Sequence, residues 1–518
     1  MLLLPTTVRA ILPFAFLFHS VAAAPIDKNA ILDQLRKSGA CCTALEYFLP
    51  DRVNFVTDLA YTSSQLSFWS AQEQSVKPTC IVVPISTQDV STAVTILSVA
   101  HQASIAGCKF AVRGAGHTPN AGAANIQGGV TIDMQSMNQV TVAGDQKTVS
   151  IGAGNRWGNV YGTLDKLDLA MVGGRVTPVG AGGLLTGGGI SFFSGRYGLA
   201  CDNLQAIEIV LANGTIATAS SSRNSDLFRA IKGGSNNFGV VTRFDSKLFQ
   251  QSEFWGGTLS QPITVKEAVF DFFVNFTVSA TFDPYGALIT DFAWLAGIPT
   301  ILHNIAYTDG STPWPPPSFK QLDDLPKTLT TIRKDELSSF TNEIAALQSV
   351  TNGRQNLFVT ATFTNKVGVT PAFLADVFAL ADAAQLQLLT AVGFIFTMSI
   401  QPLPHVLYAK SAPNTNVLGL DRSTDDLILL SFAVSWQLAL DSPRIEAGMQ
   451  ALEAAINAGA RQKGLFNEWV YLNYAALWQD PIRKYGDANV GFLREVSRKY
   501  DPSGVFQRGV PGGFKLPV

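Results

Sequence analysis

Residues 171–203 read MVGGRVTPVGAGGLLTGGGISFFSGRYGLACDN, and this glycine-dense segment says most about the fold. Glycine lets the backbone approach a ligand closely, and successive backbone N–H groups can form a nest that binds an anion. Two more glycine-rich loops flank it in the sequence, RGAGHT at 113–118 and GGSNNFG at 233–239. One such loop would be explained best as a tight turn. Three of them in one half of the chain predict a site for an extended anionic ligand, such as a dinucleotide.

The glycines of GAGGLLTGGG, residues 180–189, do not match a Rossmann fingerprint. That fingerprint requires a strand, three spaced glycines and a helix, with an acidic residue about 20 positions further on. Here the glycines are too many, and the sequence that follows shows no clean helical pattern. The predicted dinucleotide site is therefore of another kind.

His117 is the most distinctive candidate for chemistry. It lies inside the first glycine loop, directly after the predicted strand KFAVR at 109–113, and the chain has only five histidines. A lone histidine is most often a hydrogen-bonded structural residue. Its position in a glycine nest, beside a predicted cofactor phosphate, favours a functional role instead.

The sequence around the loops predicts alternating strands and helices. Ser86 and Asp89 form a capping box that opens a helix, and the alternation on both sides of Asn213-Gly214 predicts a hairpin. Beyond residue 250 glycine becomes sparse, and amphipathic helices alternate with β-branched and aromatic strands. The predicted strands are 80–84, 109–113, 130–134, 148–154, 358–363, 394–399 and 427–436, and the longest predicted helices are 371–385 and 443–462.

Length and charge exclude several classes of protein. A chain of 518 residues is long enough for two or three packing units, and 15% charged residues with 47% hydrophobic residues exclude extensive disorder. Lys and Arg number 37 against 39 Asp and Glu, a net charge of -2. Because no basic excess is available to neutralise phosphates, we expect no nucleic-acid partner.

The N-terminus has the layout of a secretory signal peptide. Arg9 precedes the apolar run 10–18, and small residues follow, which predicts a signal peptide 1–23. The alternative is a membrane anchor, but the run is shorter than the ~20 apolar residues that span a bilayer. We expect a secreted protein without a membrane partner. Asn213 and Asn275 begin glycosylation sequons, and Asn213 is the better candidate because it lies on a predicted turn.

Cysteine usage fits an oxidising compartment. The first four cysteines lie close together, at 41, 42, 80 and 108, which predicts one or two disulfides: Cys80 with either Cys41 or Cys42, and Cys108 with the remaining neighbour. Cys201 lies in an apolar setting and is predicted to be a buried free thiol. No cysteine or histidine spacing suggests a metal site.

Taken in order, the motifs resemble the FAD-linked oxidases of the vanillyl-alcohol oxidase/p-cresol methylhydroxylase (PCMH) type, and most of all the berberine-bridge-enzyme-like branch. The motifs are RGAGHT, VTIDM, TPVGAGGLLTGGGISFFSGRYGLACDN, GGSNNFGVVT, YLNYA and KYDPSGVFQ. They cover nearly the whole mature chain. The resemblance implies an α+β fold with a PCMH-type FAD domain at 60–250 (core about 76–248) that the berberine-bridge-like segment 465–518 completes. Residues 251–464 would form a substrate domain, an antiparallel sheet with helices over its outer face.

The resemblance also implies how FAD is held. His117 matches the histidine that bonds covalently to the flavin 8α carbon, and Val176 stands where many members of the branch have a second linking cysteine, so a single link is expected. Ala115 replaces a common glycine in the first loop. The other implied FAD contacts are Arg113, Gly114, Ala115, Gly116, Thr118, Gly180, Gly182, Gly183, Gly187, Gly188, Gly189, Asn237, Gly239 and Val241.

The C-terminal YLNYA motif implies the catalytic residues Tyr471, Asn473 and Tyr474. Tyr474 would be the base that removes a proton while hydride passes to flavin N5; the alternative is that both tyrosines only pack on the flavin. A phenol has a pKa near ~10, so such a base needs an activating partner, for which an acid of the middle domain is one candidate. Gly174 stands where a small residue admits molecular oxygen in this branch, which implies an oxidase that releases hydrogen peroxide.

Three functions are compatible with these residues. The first is oxidation of a small, largely apolar secondary metabolite, which the phenylalanine-rich middle region and the single flavin link favour. The second is oxidation of a carbohydrate or alcohol, which the secreted context favours. The third is a flavoprotein scaffold or cyclase with little net oxidation, against which His117 and Tyr474 argue.

Overall fold

The structure is a computed structural model that describes residues 27–295 and 297–517. The predicted signal peptide, residues 1–23, lies outside these residues. The fold is mixed α+β, as the sequence predicts. The α-helices are Lys28–Ser38, Cys41–Phe48, Leu59–Leu66, Ala71–Ser75, Thr87–Gln102, Trp157–Leu164, Ala181–Thr186, Ser194–Tyr197, Ser225–Gly234, Lys266–Phe276, Pro317–Asp323, Leu337–Gln348, Thr370–Leu388, His405–Tyr408, Ser442–Gln462 and Asp487–Tyr500.

Two sheets of moderate size lie in the first half of the chain. The strands of the first sheet lie in the order Val53–Phe55, Cys80–Val82, Val130–Asp133, Phe110–Arg113. The first pairing is antiparallel and the other two are parallel. The second is antiparallel, in the order Val140–Val142, Thr148–Gly152, Val240–Lys247, Leu204–Val210, Ile216–Ser220. The last two of these strands form the predicted hairpin. A two-stranded ribbon pairs Leu169–Ala170 with Phe249–Gln250.

The second half of the chain is dominated by a nine-stranded antiparallel sheet, called here the large sheet. Eight strands lie in the order Leu329–Thr330, Phe254–Pro262, Ile298–Tyr307, Gly286–Leu295, Ile395–Leu403, Leu427–Trp436, Gln355–Thr364, Phe466–Asn467. The ninth, Arg333–Asp335, also pairs with Phe254–Pro262. Long β-branched and aromatic runs favour extended backbone here, as predicted.

The two faces of the large sheet differ in character because successive side chains point to opposite sides of a strand. One face packs against Lys266–Phe276, Thr370–Leu388 and Ser442–Gln462 and forms an apolar core. The phenylalanines of that core are Phe270, Phe272, Phe273, Phe276, Phe292, Phe319, Phe363, Phe373, Phe378, Phe396 and Phe432. Eleven of the 16 phenylalanines in residues 251–464 therefore lie in this core. The phenylalanine-rich composition of the middle region reflects core packing more than an apolar substrate site.

Helix Thr87–Gln102 shows how a local signal fixes one element. The Ser86 hydroxyl accepts a hydrogen bond from the Asp89 backbone N–H at 3.1 Å, as the capping box predicts. The Asp89 carboxylate accepts from the Ile85 N–H at 2.9 Å, one residue earlier than in the standard box. The first bond satisfies a backbone donor that the first helical turn leaves without a partner, and the second fastens the residue that precedes the N-cap.

The disulfides resolve the alternatives that the cysteine spacing leaves open. Cys42 pairs with Cys80, and Cys41 pairs with Cys108. Cys201 is a buried free thiol, as predicted. The Cys42–Cys80 bridge joins helix Cys41–Phe48 to strand Cys80–Val82 of the four-stranded sheet, and Cys108 lies two residues before strand Phe110–Arg113. No helix within the described residues is long and apolar enough to cross a membrane.

Candidate active site

A cavity of about 410 Å³ lies between the glycine-rich loops and the inner face of the large sheet. Its volume falls in the range of ~300–1,000 Å³ typical of ligand pockets. The first half of the chain supplies loop residues and the C-terminal segment supplies the YLNYA motif. The large sheet supplies polar side chains that face inward. All three glycine-rich loops thus meet at one cavity, although they are far apart in the sequence.

Most residues expected to contact FAD line this cavity. From the loops these are Gly114, Ala115, Gly116, His117, Thr118, Gly180, Gly182, Gly183, Gly239 and Val241. At Gly183 a Cβ atom would meet no other atom within 4 Å, so the backbone there borders open space. A glycine at this position leaves room for a ligand to approach the main chain.

Arg113 lies behind the cavity wall. Its guanidinium forms a buried ion pair with Asp133 at 3.2 Å and donates to the Ser64 carbonyl at 2.7 Å. Gly116, with φ +68°, leaves space that a Cβ would take from Phe68 and Arg113. Arg113 therefore braces the His117 loop from beneath.

The remaining predicted FAD contacts also serve packing. A Cβ at Gly187 would lie 2.1 Å from Oδ1 of Asn473, and Cβ atoms at Gly188 and Gly189 would press on neighbouring side chains. The Asn237 side chain donates to the carbonyls of Gly234 and Phe514, at 2.8 and 2.9 Å. These residues hold the cavity wall together.

His117 is presented to the cavity as a neutral ring. Its imidazole stacks on the indole of Trp69, with ring centroids 4.5 Å apart and planes 6° from parallel. Burial, aided by the charge of Arg156, lowers the pKa of His117 to about 4. Near neutral pH one ring nitrogen is therefore unprotonated and keeps the free lone pair that a nucleophilic attachment requires.

Val176, which stands at the expected second linking position, lines the cavity. Gly174 does not offer the opening that was expected of it. A Cβ there would lie 2.4 Å from Cδ1 of Trp157, so the space beside Gly174 is filled by that indole. The Gly174 carbonyl accepts from the Tyr161 hydroxyl at 2.6 Å. Close packing explains the small residue, and it gives no support to an oxygen channel at this position.

Tyr474 lines the cavity and has a cationic partner. Its hydroxyl accepts a hydrogen bond from Nη2 of Arg175 at 2.8 Å. The same Nη2 donates to Oε1 of Gln401 at 2.7 Å, which orients the guanidinium. An ionised donor stabilises negative charge on the oxygen that it contacts. Sequence reasoning proposed an acid as the partner of Tyr474; the structure places an arginine there.

Tyr471 and Asn473 make a different set of contacts. The Tyr471 hydroxyl accepts from the backbone N–H groups of Gly189 and Ile190, each at 3.2 Å, and from Nδ2 of Asn473 at 3.0 Å. Nδ2 of Asn473 also donates to the Leu184 carbonyl at 3.3 Å. Burial raises the pKa of Tyr471 well above its usual value. These two residues fasten the C-terminal segment to the glycine-rich segment.

Several polar cavity residues were not found from the sequence, among them Arg175, Asp291, Asn304, Ser399 and Gln401. Four of them lie on inner positions of the large sheet. The available signal was a polar residue inside an otherwise apolar strand, as in LITDFAWL at 288–295. That pattern does not say which distant strand pairs beside it.

Asp291 is the acid of the middle region that faces the cavity. Desolvation raises its pKa to about 6, against the opposing effects of the Ser399 hydroxyl and the Arg175 charge. Within the described ranges, no group of three or more histidine, cysteine or acidic side chains is placed to hold a metal ion.

Comparison with known proteins gives the class. Residues 78–220 match a family model described as an FAD binding domain. The chain is 39% identical over 471 residues to the FAD-dependent monooxygenase tpcD of Cochliobolus heterostrophus, with 87% of each chain covered. It is 37% identical over 485 residues to the FAD-dependent monooxygenase sdcF of Emericella nidulans, covering 92% of this chain and 98% of the relative.

Solved structures share the fold. The 6-hydroxy-D-nicotine oxidase of Arthrobacter nicotinovorans superposes with a TM-score of 0.72 at 20% identity, covering 90% of this chain and 97% of the oxidase. Berberine bridge enzyme from Eschscholzia californica superposes with a TM-score of 0.71 at 16% identity, covering 91% and 99%. The chain belongs to the PCMH-type family of FAD-linked oxidoreductases, and it is an FAD-linked oxidoreductase.

Proposed function

We propose that this protein is a secreted, FAD-dependent oxidase of a small hydroxylated organic molecule, with molecular oxygen as the final acceptor. The observation that carries the proposal is the Tyr474 hydroxyl, which lies in the cavity and is held by Arg175 at 2.8 Å. The signal-like N-terminus and the two disulfides support secretion.

The residues of the cavity fit FAD. Open space beside Gly183, a neutral His117 and backbone from three glycine-rich loops suit an extended anionic cofactor. When bound, FAD would supply a two-electron acceptor that molecular oxygen can reoxidise. We propose that His117 forms a covalent link to FAD. It would be the single link, because Val176, at the second linking position, has no thiol.

The protein's own residues prepare the substrate. Tyr474 would take the proton of a substrate hydroxyl, and Arg175 would stabilise the charge on the Tyr474 oxygen before that transfer. Gln401 keeps Arg175 in place. Tyr471 and Asn473 hold the backbone on which Tyr474 sits, so we assign them a positioning role.

The arrangement of the sheets supports a division into two domains. We propose that 60–250 and 465–518 bind FAD and that 251–464 binds the substrate. Strands from residues 254–436 form almost all of the large sheet, which supports this division. Among the described strands, Phe466–Asn467 alone adds an edge strand from the C-terminal segment.

A carbohydrate or other polyol is a second candidate substrate. Asp291, Asn304, Ser399, Gln401 and Ser431 form a polar wall in the cavity, which suits a ligand with several hydroxyl groups. Phe358, Ile289 and Ile344 line the same cavity and favour a ring with an apolar face. We place the hydroxylated ring compound first because it uses both kinds of wall.

Anaerobic mixing of the holoenzyme with phenolic alcohols, sugars and polyols tests this function. An oxidase bleaches the flavin, and on admission of ¹⁸O₂ it forms one hydrogen peroxide per product. Labelled oxygen in the product would instead show a monooxygenase, as the relatives are named. Conversion without flavin bleaching would indicate the scaffold or cyclase role and refute the oxidase.

His117→Ala tests the flavin attachment. After denaturation the parent protein should retain flavin in a peptide that contains His117, and the variant should release all of its flavin. His405→Ala is the matched control, since His405 begins a short helix and does not line the cavity, so the variant should leave the link intact. Flavin retained by His117→Ala would place the link on another residue.

A further inference from the structure

A row of polar side chains crosses the inner face of the large sheet. Asp291 lies opposite Ser399 in the strand register, and Ser399 lies opposite Ser431. All three line the cavity, together with Asn304 from the strand on the other side of Asp291. The pairing of four strands thus concentrates polar groups at the wall that faces the glycine-rich loops.

Asp291 is held in this row by two donors. Its Oδ1 accepts a hydrogen bond from the Ser399 hydroxyl at 2.5 Å, and its Oδ2 accepts from Nδ2 of Asn304 at 2.9 Å. Each carboxylate oxygen has two acceptor sites, so capacity for a further donor remains. Among the described residues, no lysine, arginine or histidine forms an ion pair with Asp291. The carboxyl group is fixed in orientation and is free to accept from a ligand.

The nearest cation of the cavity is committed elsewhere. Nη2 of Arg175 donates to Gln401 and Tyr474, and its charge acts on Asp291 only through space. One cavity therefore presents both an acceptor, Asp291, and a cation. A ligand ammonium would be attracted by the first and repelled by the second. A neutral hydroxyl, which both donates and accepts, suits both.

The apolar part of the lining sets the shape of the rest of the ligand. Ile289, Ile344, Phe358 and Ala433 line the cavity beside the polar row. Phe358 and Tyr474 meet edge to face, with ring centroids 6.2 Å apart. Apolar and aromatic side chains favour a flat hydrocarbon ring between them.

We propose that Asp291 determines specificity by accepting a hydrogen bond from a hydroxyl group of a neutral, hydroxylated ring compound. The inference rests on the proposed function in one respect: the ligand that Asp291 selects is the one oxidised in the same cavity. Ser399 and Asn304 keep the carboxylate turned toward the ligand. Asp291 makes a binding contact only, and Tyr474 remains the base.

The experiment measures binding to the holoenzyme and does not depend on turnover. The probes are 1,3-dihydroxybenzene, 3-methoxyphenol and 1,3-dimethoxybenzene, titrated while the flavin absorbance spectrum is recorded. A hydrogen bond to a charged group is worth about tenfold or more in affinity, so the diol should bind at least about tenfold more tightly than the dimethyl ether. Asp291→Asn, which is isosteric, should reduce that affinity ratio toward one. Asp291→Ala, which has no acceptor, should leave the two probes with equal affinity.

Asp382→Asn is the matched control. The Asp382 carboxylate contacts the same strand from the opposite face of the sheet, where it accepts from Nε1 of Trp294 at 2.8 Å. This variant should keep the parent ratio. Three outcomes would each overturn the proposal. The first is an affinity ratio of diol to dimethyl ether that Asp291→Asn leaves unchanged. The others are a parent enzyme that binds the probes equally, or no spectral change with the diol at millimolar concentration. The parent could bind the diol selectively and lose that selectivity in Asp291→Asn, while no substrate reduces the flavin. That result would support the binding role of Asp291 and refute the oxidase function.

Discussion

Replacing Tyr474 by phenylalanine separates its hydroxyl from its packing. The ring remains against Phe358 and Tyr471, at centroid distances of 6.2 and 4.9 Å. Arg175 loses one acceptor but keeps Oε1 of Gln401 at 2.7 Å. The substitution removes the acceptor of two hydrogen bonds, from Nη2 of Arg175 at 2.8 Å and from Nε2 of Gln401 at 3.5 Å. Since the second is long and both face the cavity, we expect the free energy of unfolding to fall by about 0.5–1.5 kcal/mol. FAD content should stay at the parent level.

The effect on the reaction should be much larger. Loss of a general base typically slows the chemical step by about 10²–10⁴-fold, which corresponds to roughly 3–5 kcal/mol in the activation free energy. Arg175→Gln should slow it by about 10–10²-fold, because Tyr474 keeps its hydroxyl but loses a charged donor. The order of rates should be parent, Arg175→Gln, then Tyr474→Phe.

Anaerobic stopped-flow absorbance provides the measurement. The rate of flavin bleaching by a turned-over substrate should fall in Tyr474→Phe, whereas reoxidation of the reduced flavin by oxygen should stay within about twofold of the parent. Tyr471→Phe is the comparison. It leaves the N–H groups of Gly189 and Ile190 without their acceptor, so it should lower the free energy of unfolding by about 1–3 kcal/mol. Its bleaching rate should exceed that of Tyr474→Phe. Bleaching at the parent rate in Tyr474→Phe would refute Tyr474 as the base.

Three further predictions concern other parts of the molecule. Val176→Cys should place a thiol at the cavity wall and add a second flavin link, seen as a flavin peptide containing residue 176; a flavin that never contacts residue 176 would contradict the alignment. Burial raises the pKa of Glu73 from 4.5 to about 7. The unfolded chain therefore releases the Glu73 proton at a lower pH than the folded protein does. As a result, the free energy of unfolding should fall by about 2–3 kcal/mol as the pH rises from ~4.5 to ~7. Glu73→Gln should remove that part of the fall in urea titrations at both pH values, and an identical pH dependence would contradict it. Asn213 is exposed on the turn between strands Leu204–Val210 and Ile216–Ser220, so protein secreted by a eukaryotic host should carry a glycan there that Asn213→Gln removes, as measured by peptide mass spectrometry.

Local signals in the sequence determined a large part of this protein. Some signals act between residues that are close in sequence: the capping pair at Ser86 and Asp89, the hairpin turn at Asn213-Gly214 and the long apolar runs. Because they need no distant contact, the α+β fold and most of its helices and strands could be predicted. The motif around His117 and the glycine-rich segment indicated the class of cofactor. Because the freedom of glycine to let a ligand approach the backbone is a property of the residue itself, this inference did not need tertiary contacts.

Tertiary structure decided which of these residues work together. Arg175 reaches Tyr474 across 299 positions of sequence, and Asp291 reaches Ser399 across 108. Such pairs depend on strand register and on the docking of distant segments, and a shift of one residue would send every side chain of a strand to the other face. For the same reason composition misled: most phenylalanines of the middle region point into the core beneath the helices. Asp291, Ser399 and Gln401, on alternate positions of the strands, face the cavity.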